Sequence, residues 1–146
     1  MNKGKLLIID DEELIVKNLK YLLSASADEI FTALNGEEGL KLFEQHSIQC
    51  VICDIAMPKM NGVEVLRRIR EQGSKVPFIF FTAYRQEDLM LQAAKLGAFD
   101  FIIKPGFEGL TTIVTKGLAQ GFDHQRLSGD AELMSEFQTI VQSLKN

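Results

Sequence analysis

The stretch Lys5-Leu6-Leu7-Ile8-Ile9-Asp10-Asp11 ends an apolar run on two adjacent carboxylates. A run that is apolar throughout, rather than at every second position, is typical of a strand buried on both faces of a sheet. From Glu12 onward the apolar residues recur with helical spacing, at Leu14, Ile15, Leu19, Leu22 and Leu23. The stretch therefore predicts a buried strand that leads directly into a helix.

The same unit of strand and helix recurs along the chain. Short apolar runs predict further strands at 30–33, 50–54, 78–82 and 100–103. The predicted helices run from an N-cap at Asn35 to about His46, from Val63 to around Gly73-Ser74, from Gln86 to Leu96, and from about Glu108 to Gln120 with Gly121 as the stop. Strict alternation with mostly apolar strands predicts an α/β fold, a doubly wound five-stranded parallel sheet with helices on both faces.

The character of the sequence changes after Gly121. Ser128-Gly129-Asp130 predicts a break and an N-cap, and an apolar stripe then recurs at helical steps, at Leu133, Met134, Phe137, Ile140, Val141 and Leu144. We therefore expect a domain over residues 1–121 and a C-terminal amphipathic helical extension over 122–146. Its apolar stripe would pack on the body of the protein, form a homodimer, or dock a partner.

Composition excludes several classes of protein. The chain has 146 residues, a mass of 16.4 kDa, a formal net charge of −4 and a pI near 5.2. Because nucleic-acid phosphates require clustered Lys and Arg, direct nucleic-acid binding is not expected. No apolar run is long enough to span a bilayer and no secretory segment opens the chain, so we expect no membrane association and a cytoplasmic location.

Polar residues follow the predicted strands. Right-handed crossovers would bring the carboxyl ends of these strands to one edge, where open α/β sheets bind ligands. Two like charges about 4 Å apart repel by roughly 4 kcal/mol at an effective dielectric of 20, so three clustered carboxylates favour a bound cation such as Mg²⁺. The residues expected at this edge are Asp10, Asp11, Asp54, Thr82 and Lys104.

This set is suited to phosphoryl transfer. One carboxylate could attack phosphorus in line, Lys104 could pair with a phosphate oxygen, and Thr82 could donate a hydrogen bond to another. Each residue also has an ordinary structural role open to it: Asp11 as a helix cap, Lys104 as a solvated surface lysine, and Thr82 as a strand-end residue.

Several short motifs occur in a fixed order: Asp10-Asp11, Asp54-Ile55-Ala56-Met57-Pro58-Lys59-Met60-Asn61-Gly62, Thr82-Ala83-Tyr84, Gly97-Ala98 and Lys104-Pro105. In order and spacing, these motifs make the chain, over about residues 4 to 121, similar to the receiver domains of two-component response regulators. The resemblance implies a flavodoxin-like sheet of order 2-1-3-4-5. It also implies a donor that is a sensor histidine kinase or a histidine phosphotransfer protein, and a downstream protein that the sequence does not identify.

The resemblance also implies roles for single residues. Asp54 would be the phosphoacceptor; Asp11 and Asp54 would bind Mg²⁺ directly, Asp10 through water, and Ala56 through its backbone carbonyl. Thr82 and Lys104 would contact the phosphoryl group, and Phe101 would turn inward when Thr82 moves. The protein would then be a switch rather than a turnover enzyme.

The chain departs from the pattern of these receiver domains at three residues. Ala56 and Tyr84 differ in size or polarity from many relatives, which the resemblance links to the access of hydrolytic water. Gly106 follows Lys104-Pro105 where an apolar residue is customary, so the sequence does not fix the residue at which the fifth helix starts.

Other functions fit the residues less well. A phosphatase of the haloacid dehalogenase type needs a second Asp two residues after its nucleophile, where this chain has Ala56. A flavodoxin-like cofactor site needs a phosphate loop after the first strand, where Asp10 and Asp11 would repel a phosphate.

Cys50 and Cys53 form a C-x-x-C inside a predicted strand, which predicts reduced core thiols on opposite faces rather than a redox pair. His46 and His124 fall far from the acidic edge in the predicted order, and we expect both on the surface.

Overall fold

The computed structural model describes residues 2–83 and 85–145, and for residues 124–139 and 145 it describes the backbone alone. In this part of the chain, strands and helices alternate without exception. The strands are β1 (Lys5–Ile9), β2 (Glu29–Ala33), β3 (Cys50–Cys53), β4 (Phe78–Thr82) and β5 (Asp100–Ile103). The helices are α1 (Glu13–Leu22), α2 (Gly36–Gln45), α3 (Gly62–Glu71), α4 (Glu87–Lys95) and α5 (Leu110–Lys145).

The strands form one parallel sheet in the order β2-β1-β3-β4-β5. This confirms the predicted fold class and strand order. In such an order the direction of winding reverses between β1 and β3, and ligands bind at the carboxyl ends of the strands near that reversal.

The sheet separates two apolar cores. On one face, side chains of α2, α3 and α4 pack with Cys53 and Phe80; on the other, α1 and α5 pack with Cys50 and Phe81. β3 and β4 are buried along their whole length, which explains their lack of polar alternation. The two cysteines lie on opposite faces, as predicted.

Local signals set most helix ends where they were expected. The Asn35 side chain accepts a hydrogen bond of 2.8 Å from the Glu38 N–H and caps α2. Gly73 and Gly97 follow α3 and α4 with φ of 87° and 78°, the left-handed conformation that ends a helix at low cost for glycine.

The predicted end of the fifth helix at Gly121 is wrong, and so is the predicted break at Ser128-Gly129-Asp130, because α5 is one helix of 36 residues. Glycine costs about 1 kcal/mol relative to alanine inside a helix, which neighbouring helix formers can offset. A Cβ at Gly121 would lie 1.9 Å from the Gln49 carbonyl oxygen, so this glycine permits close packing. α5 also begins later than predicted, because Gly109 has a φ of 76°.

The apolar stripe predicted after Gly121 lies on the C-terminal part of α5. Leu133, Met134 and Phe137 have side chains outside the described residues. Ile140 and Leu144 are 59% and 81% exposed, so these two do not pack on the body of the protein. The division into residues 1–121 and 122–146 stays a prediction.

Among the described helices, none combines the length and the apolar character that crossing a bilayer would require.

Candidate functional site

The polar residues singled out in the sequence lie at one edge of the sheet. Ile9 of β1 pairs with Cys53 of β3, and Cys53 pairs with Phe80 of β4. Asp10 and Asp54, the next residues along β1 and β3, therefore lie side by side at the carboxyl edge, next to the end of β4. Lys104 comes directly after β5, whose last residue pairs with Thr82. Residues from four different strands therefore meet at the carboxyl edge.

Lys104 links two of the acids directly. Its Nζ lies 2.8 Å from an oxygen of Asp10 and 3.1 Å from an oxygen of Asp54. The three side chains are only 8%, 2% and 7% exposed, so water and salt screen these charges weakly. One ammonium thus partly neutralises two buried carboxylates that come from separate strands.

Backbone hydrogen bonds orient the two acids. The second oxygen of Asp10 accepts a hydrogen bond of 2.9 Å from the Glu12 N–H. The second oxygen of Asp54 accepts a longer one, of 3.4 Å, from the Ala56 N–H. Each carboxylate therefore directs one oxygen to Lys104 and the other to the loop that follows its strand.

Burial and the contacts within this cluster shift the pKa values of Asp10 and Lys104. Burial raises the pKa of Asp10, and it outweighs the opposing hydrogen bonds from Lys104 and from the Glu12 N–H. Burial alone would lower the pKa of Lys104, but the hydrogen bonds and charges of Asp10 and Asp54 together raise it. The lysine is therefore firmly charged, whereas an ionised Asp10 is kept at an energetic cost.

Asp11 completes a group of ligand atoms. One oxygen from each of Asp10, Asp11 and Asp54 lies within 4.8 Å of the others, and Asp11 is exposed while the other two are buried. Carboxylate oxygens are the ligands that Mg²⁺ prefers, usually one or two of them with several waters. The donor set and its single solvent-facing member fit such an ion.

The loop after Asp54 depends on a glycine to which the sequence analysis gave no role. A Cβ at Gly62 would lie 2.1 Å from the Asp54 carbonyl oxygen, and the Gly62 N–H donates a hydrogen bond of 2.8 Å to Ile55. Asn61 caps α3 by accepting a hydrogen bond of 3.0 Å from the Glu64 N–H. The start of α3 therefore packs directly against the backbone of Asp54, an approach that a side chain at position 62 would prevent. A glycine directly after a capping asparagine is the signal that could have indicated this.

Thr82 and Phe101 are both held in the core. Thr82 is fully buried, and its carbonyl accepts a hydrogen bond of 2.8 Å from the Lys104 N–H. Phe101 is half-buried, and its ring stacks on Phe80 with the centroids 5.5 Å apart. Tyr84, which the sequence singled out beside Thr82, lies outside the described residues.

The segment after β5 shows how the chain accommodates Gly106. The Lys104-Pro105 peptide bond is cis, and the Gly106 N–H donates to the Ile103 carbonyl at 3.0 Å. Phe107 packs its ring on Phe81, with the centroids 5.7 Å apart. The residue after Gly106 therefore supplies an apolar contact to the core ahead of the fifth helix, which starts at Leu110.

The cysteine sulfurs and the His46 ring lie outside the acidic cluster, although the Cys53 thiol donates a hydrogen bond of 3.2 Å to the Asp54 carbonyl oxygen. Cys50 and Cys53 are free and buried, and burial raises the pKa of Cys50 to about 12 and that of Cys53 well above its ordinary value. His46 caps the far end of α2 and stacks on Phe31 at 4.0 Å, so it is half-buried rather than fully on the surface as expected. The side chain of His124 lies outside the described residues.

The model of the response regulator receiver domain family matches residues 6–115. The alkaline phosphatase synthesis transcriptional regulatory protein PhoP of Bacillus subtilis is 39% identical over 105 residues, which is 72% of this chain and 43% of that protein. The regulatory protein AtoC of Escherichia coli is 34% identical over 116 residues, 79% of this chain and 25% of that protein. The chain thus spans less than half the length of these curated relatives.

Solved structures agree with this match. A response regulator receiver domain protein from Clostridium thermocellum superposes with a TM-score of 0.73 at 32% identity, over 85% of this chain and 98% of that one. These similarities do not favour a haloacid dehalogenase type phosphatase or a flavodoxin-like cofactor module. The chain belongs to the response regulator receiver domain family of two-component signalling.

Proposed function

We propose that Asp54 accepts a phosphoryl group from a sensor histidine kinase or a histidine phosphotransfer protein, and that this modification switches the binding of a partner. The observation that carries the proposal is the contact of Lys104 with both Asp54 and Asp10, with Asp11 beside them. A carboxylate that already faces a buried ammonium is placed where the charge of a phosphoryl group can be balanced.

Mg²⁺ is the proposed cofactor. Asp11 and Asp54 would hold it directly, Asp10 through water, and Ala56 through its backbone carbonyl. When bound, the ion would supply positive charge to the phosphoryl oxygens and orient the donor. The cluster of oxygens within 4.8 Å supports this assignment.

Asp54 acts as the nucleophile in the proposed step. An oxygen of Asp54 forms a bond to phosphorus, the P–N bond of the donor phosphohistidine breaks, and the imidazole nitrogen keeps the electron pair of that bond. Phosphoryl transfer has a loose transition state, so the site mainly positions groups and balances charge. The close packing of Gly62 on the backbone of Asp54 serves that positioning.

The product differs from the starting state in charge and in hydrogen-bond acceptors. Lys104, now 3.1 Å from Asp54, is within reach of a phosphoryl oxygen on that residue. Thr82, at the end of the adjacent strand, would donate a hydrogen bond to another oxygen, and Phe101 would turn further inward as Thr82 moves. The surface of α4, β5 and α5 would change as a result.

The wider role follows from this switch. We infer a protein that modifies itself and binds partners in the cytoplasm, rather than a turnover enzyme. The names of PhoP and AtoC describe regulators, which supports a downstream protein effector for this chain as well. A homodimer formed through the C-terminal part of α5 is one form that the response could take.

Intact mass after incubation with acetyl phosphate and Mg²⁺ tests the proposal. We expect one phosphoryl group on the wild type and none on Asp54→Asn. Removing Mg²⁺ with a chelator is expected to abolish the addition.

Asp88→Asn is the matched control, because Asp88 is an exposed carboxylate of α4. It should be phosphorylated like the wild type. Equal addition to Asp54→Asn and the wild type would contradict the assignment of the acceptor.

A further inference from the structure

Phe81 lies beside the ammonium of Lys104. The Lys104 Nζ is 5.7 Å from the centroid of the Phe81 ring, at the same time as it contacts Asp10 and Asp54. Phe81 is fully buried and is the residue before Thr82 in β4. The ammonium therefore has two carboxylates and one aromatic face around it.

A second ring fixes the position of Phe81. Phe107 packs against it with an interplanar angle of 44°, and the Phe107 carbonyl accepts a hydrogen bond of 3.3 Å from the Leu110 N–H at the start of α5. Phe107 thereby joins the loop after Lys104 to the helix that follows. The Phe81 ring therefore packs both in the core on this face of the sheet and against Phe107 of this loop.

Two physical features make the contact relevant to Lys104. A cation within about 6 Å of an aromatic centroid is attracted by the ring, and the attraction is larger where water is excluded. The Lys104 side chain is 8% exposed, so it is in the stronger regime. Lysine has a flexible four-carbon stem, and a neighbour that restricts the stem reduces the number of positions open to the ammonium.

We propose that Phe81 is a positioning residue that holds the Lys104 ammonium at the place where it meets the phosphoryl group on Asp54. The inference rests on the proposed function of Lys104 and Asp54. It is separate from the proposed movement of Thr82 and Phe101, because Phe101 stacks on Phe80 on the opposite face of the sheet.

Phe81→Leu tests the proposal, with Phe78→Leu as the matched control. Both phenylalanines are fully buried in β4, and Phe78 packs on Phe80 rather than beside Lys104. Pentafluorophenylalanine at position 81 provides a further variant that keeps the shape of the ring and reverses its quadrupole. It separates the electrostatic contact from the packing of the core.

Two measurements are made on each protein: the rate of phosphorylation by acetyl phosphate with Mg²⁺, and the proton chemical shifts of the Lys104 ε-methylene group. We expect the rate to fall about three- to tenfold in Phe81→Leu and in the fluorinated variant. The ring-current shift of the Lys104 protons should be lost in Phe81→Leu. Phe78→Leu should keep both the rate and the shift.

The outcomes separate the two proposals. A wild type that gains no phosphoryl group refutes the proposed function. A wild type that is phosphorylated at the same rate as both variants of position 81 refutes the role of Phe81 alone. An equal loss of rate in Phe81→Leu and Phe78→Leu would do the same, since it would reflect general loss of packing.

Discussion

The two edges of the sheet are built on different physical principles. At the carboxyl edge, the contacts that hold distant segments together are between charges, with Lys104 bridging Asp10 and Asp54. At the amino edge, glycine allows close approaches: Gly121 lies against the Gln49 backbone, and Gly4 lies against the side chains of Phe122, Leu118 and Gln49.

The amino edge is packed tightly. A Cβ at Gly4 would lie 3.0 Å from the Phe122 ring and 3.3 Å from the Gln49 side chain, and Gly121 sits directly on the Gln49 carbonyl. The Gln49 side chain in turn accepts a hydrogen bond of 2.6 Å from the Lys5 N–H. This edge joins β1, β3 and α5 without any buried ion pair among these contacts.

The difference indicates where the molecule can respond. Close backbone packing has no alternative partner, so the amino edge stabilises one arrangement. The buried charges of the carboxyl edge can exchange partners when a cation or a phosphoryl group arrives, which allows a change of state to begin at that edge.

The largest expected effect is at the carboxyl edge. Lys104→Met removes the cation from two buried acids, and breaking a buried pair in this way typically costs about 3 kcal/mol. We expect the free energy of unfolding, measured with urea in the absence of divalent ions, to fall by that amount. Added Mg²⁺ should restore part of it, because a cation would again neutralise the acids.

Lys17→Met is the control for this substitution. Lys17 is 71% exposed and pairs with Glu13 on the surface of α1, so its loss should change stability by less than about 0.5 kcal/mol. An equal loss of unfolding free energy in both variants would contradict the special role given to the buried charges of the carboxyl edge.

A smaller effect is expected at the amino edge. Gly121→Ala places a Cβ 1.9 Å from the Gln49 carbonyl oxygen, so the backbone must shift, at a cost of about 2 kcal/mol. Gly117→Ala is the control on the same helix, because its Cβ would meet the Cys50 side chain at 2.9 Å rather than backbone. In thermal unfolding, the Tm of Gly121→Ala should be lower than that of Gly117→Ala. The reverse order would show that α5 moves freely on this edge.

The smallest effect is a pH dependence at the amino edge. The Gly4 and Lys3 N–H groups donate hydrogen bonds to the exposed carboxylate of Asp28. Both hydrogen bonds lower the pKa of Asp28, and the one from Gly4 has the larger effect. A lowered pKa in the folded state gives stability that is complete above the unfolded pKa of about 3.9 and is lost as the pH falls through the folded value. Asp28→Asn should therefore be slightly less stable than the wild type at neutral pH.

Urea unfolding of both proteins from pH 7 down to pH 2.5 checks this expectation. The difference between wild type and Asp28→Asn should shrink below about pH 4. A difference that grows in acid would show that the carboxylate is not the group that pins the N-terminal segment.

The sequence predicted the parts of the fold that depend on local pattern. The buried strands are apolar throughout, and caps such as Asn35 and Gly97 mark helix ends, so these features could be read directly. The length of α5 could not, because whether Gly121 stops a helix or packs against Gln49 depends on a contact distant in sequence.

The candidate site shows the same division. Which residues meet at the carboxyl edge follows from strand order, and Asp10, Asp54 and Lys104 were named in advance. That Lys104 itself neutralises the acids, beside the Phe81 ring, depends on side-chain directions that no sequence pattern encodes.

The unbroken α5 has a mechanical consequence. At 1.5 Å per residue, 36 residues extend over about 54 Å, so a tilt of about 5° at Leu110 would displace the far end by roughly 5 Å. A small rearrangement near Lys104 would thus produce a much larger displacement at the C-terminal end of α5.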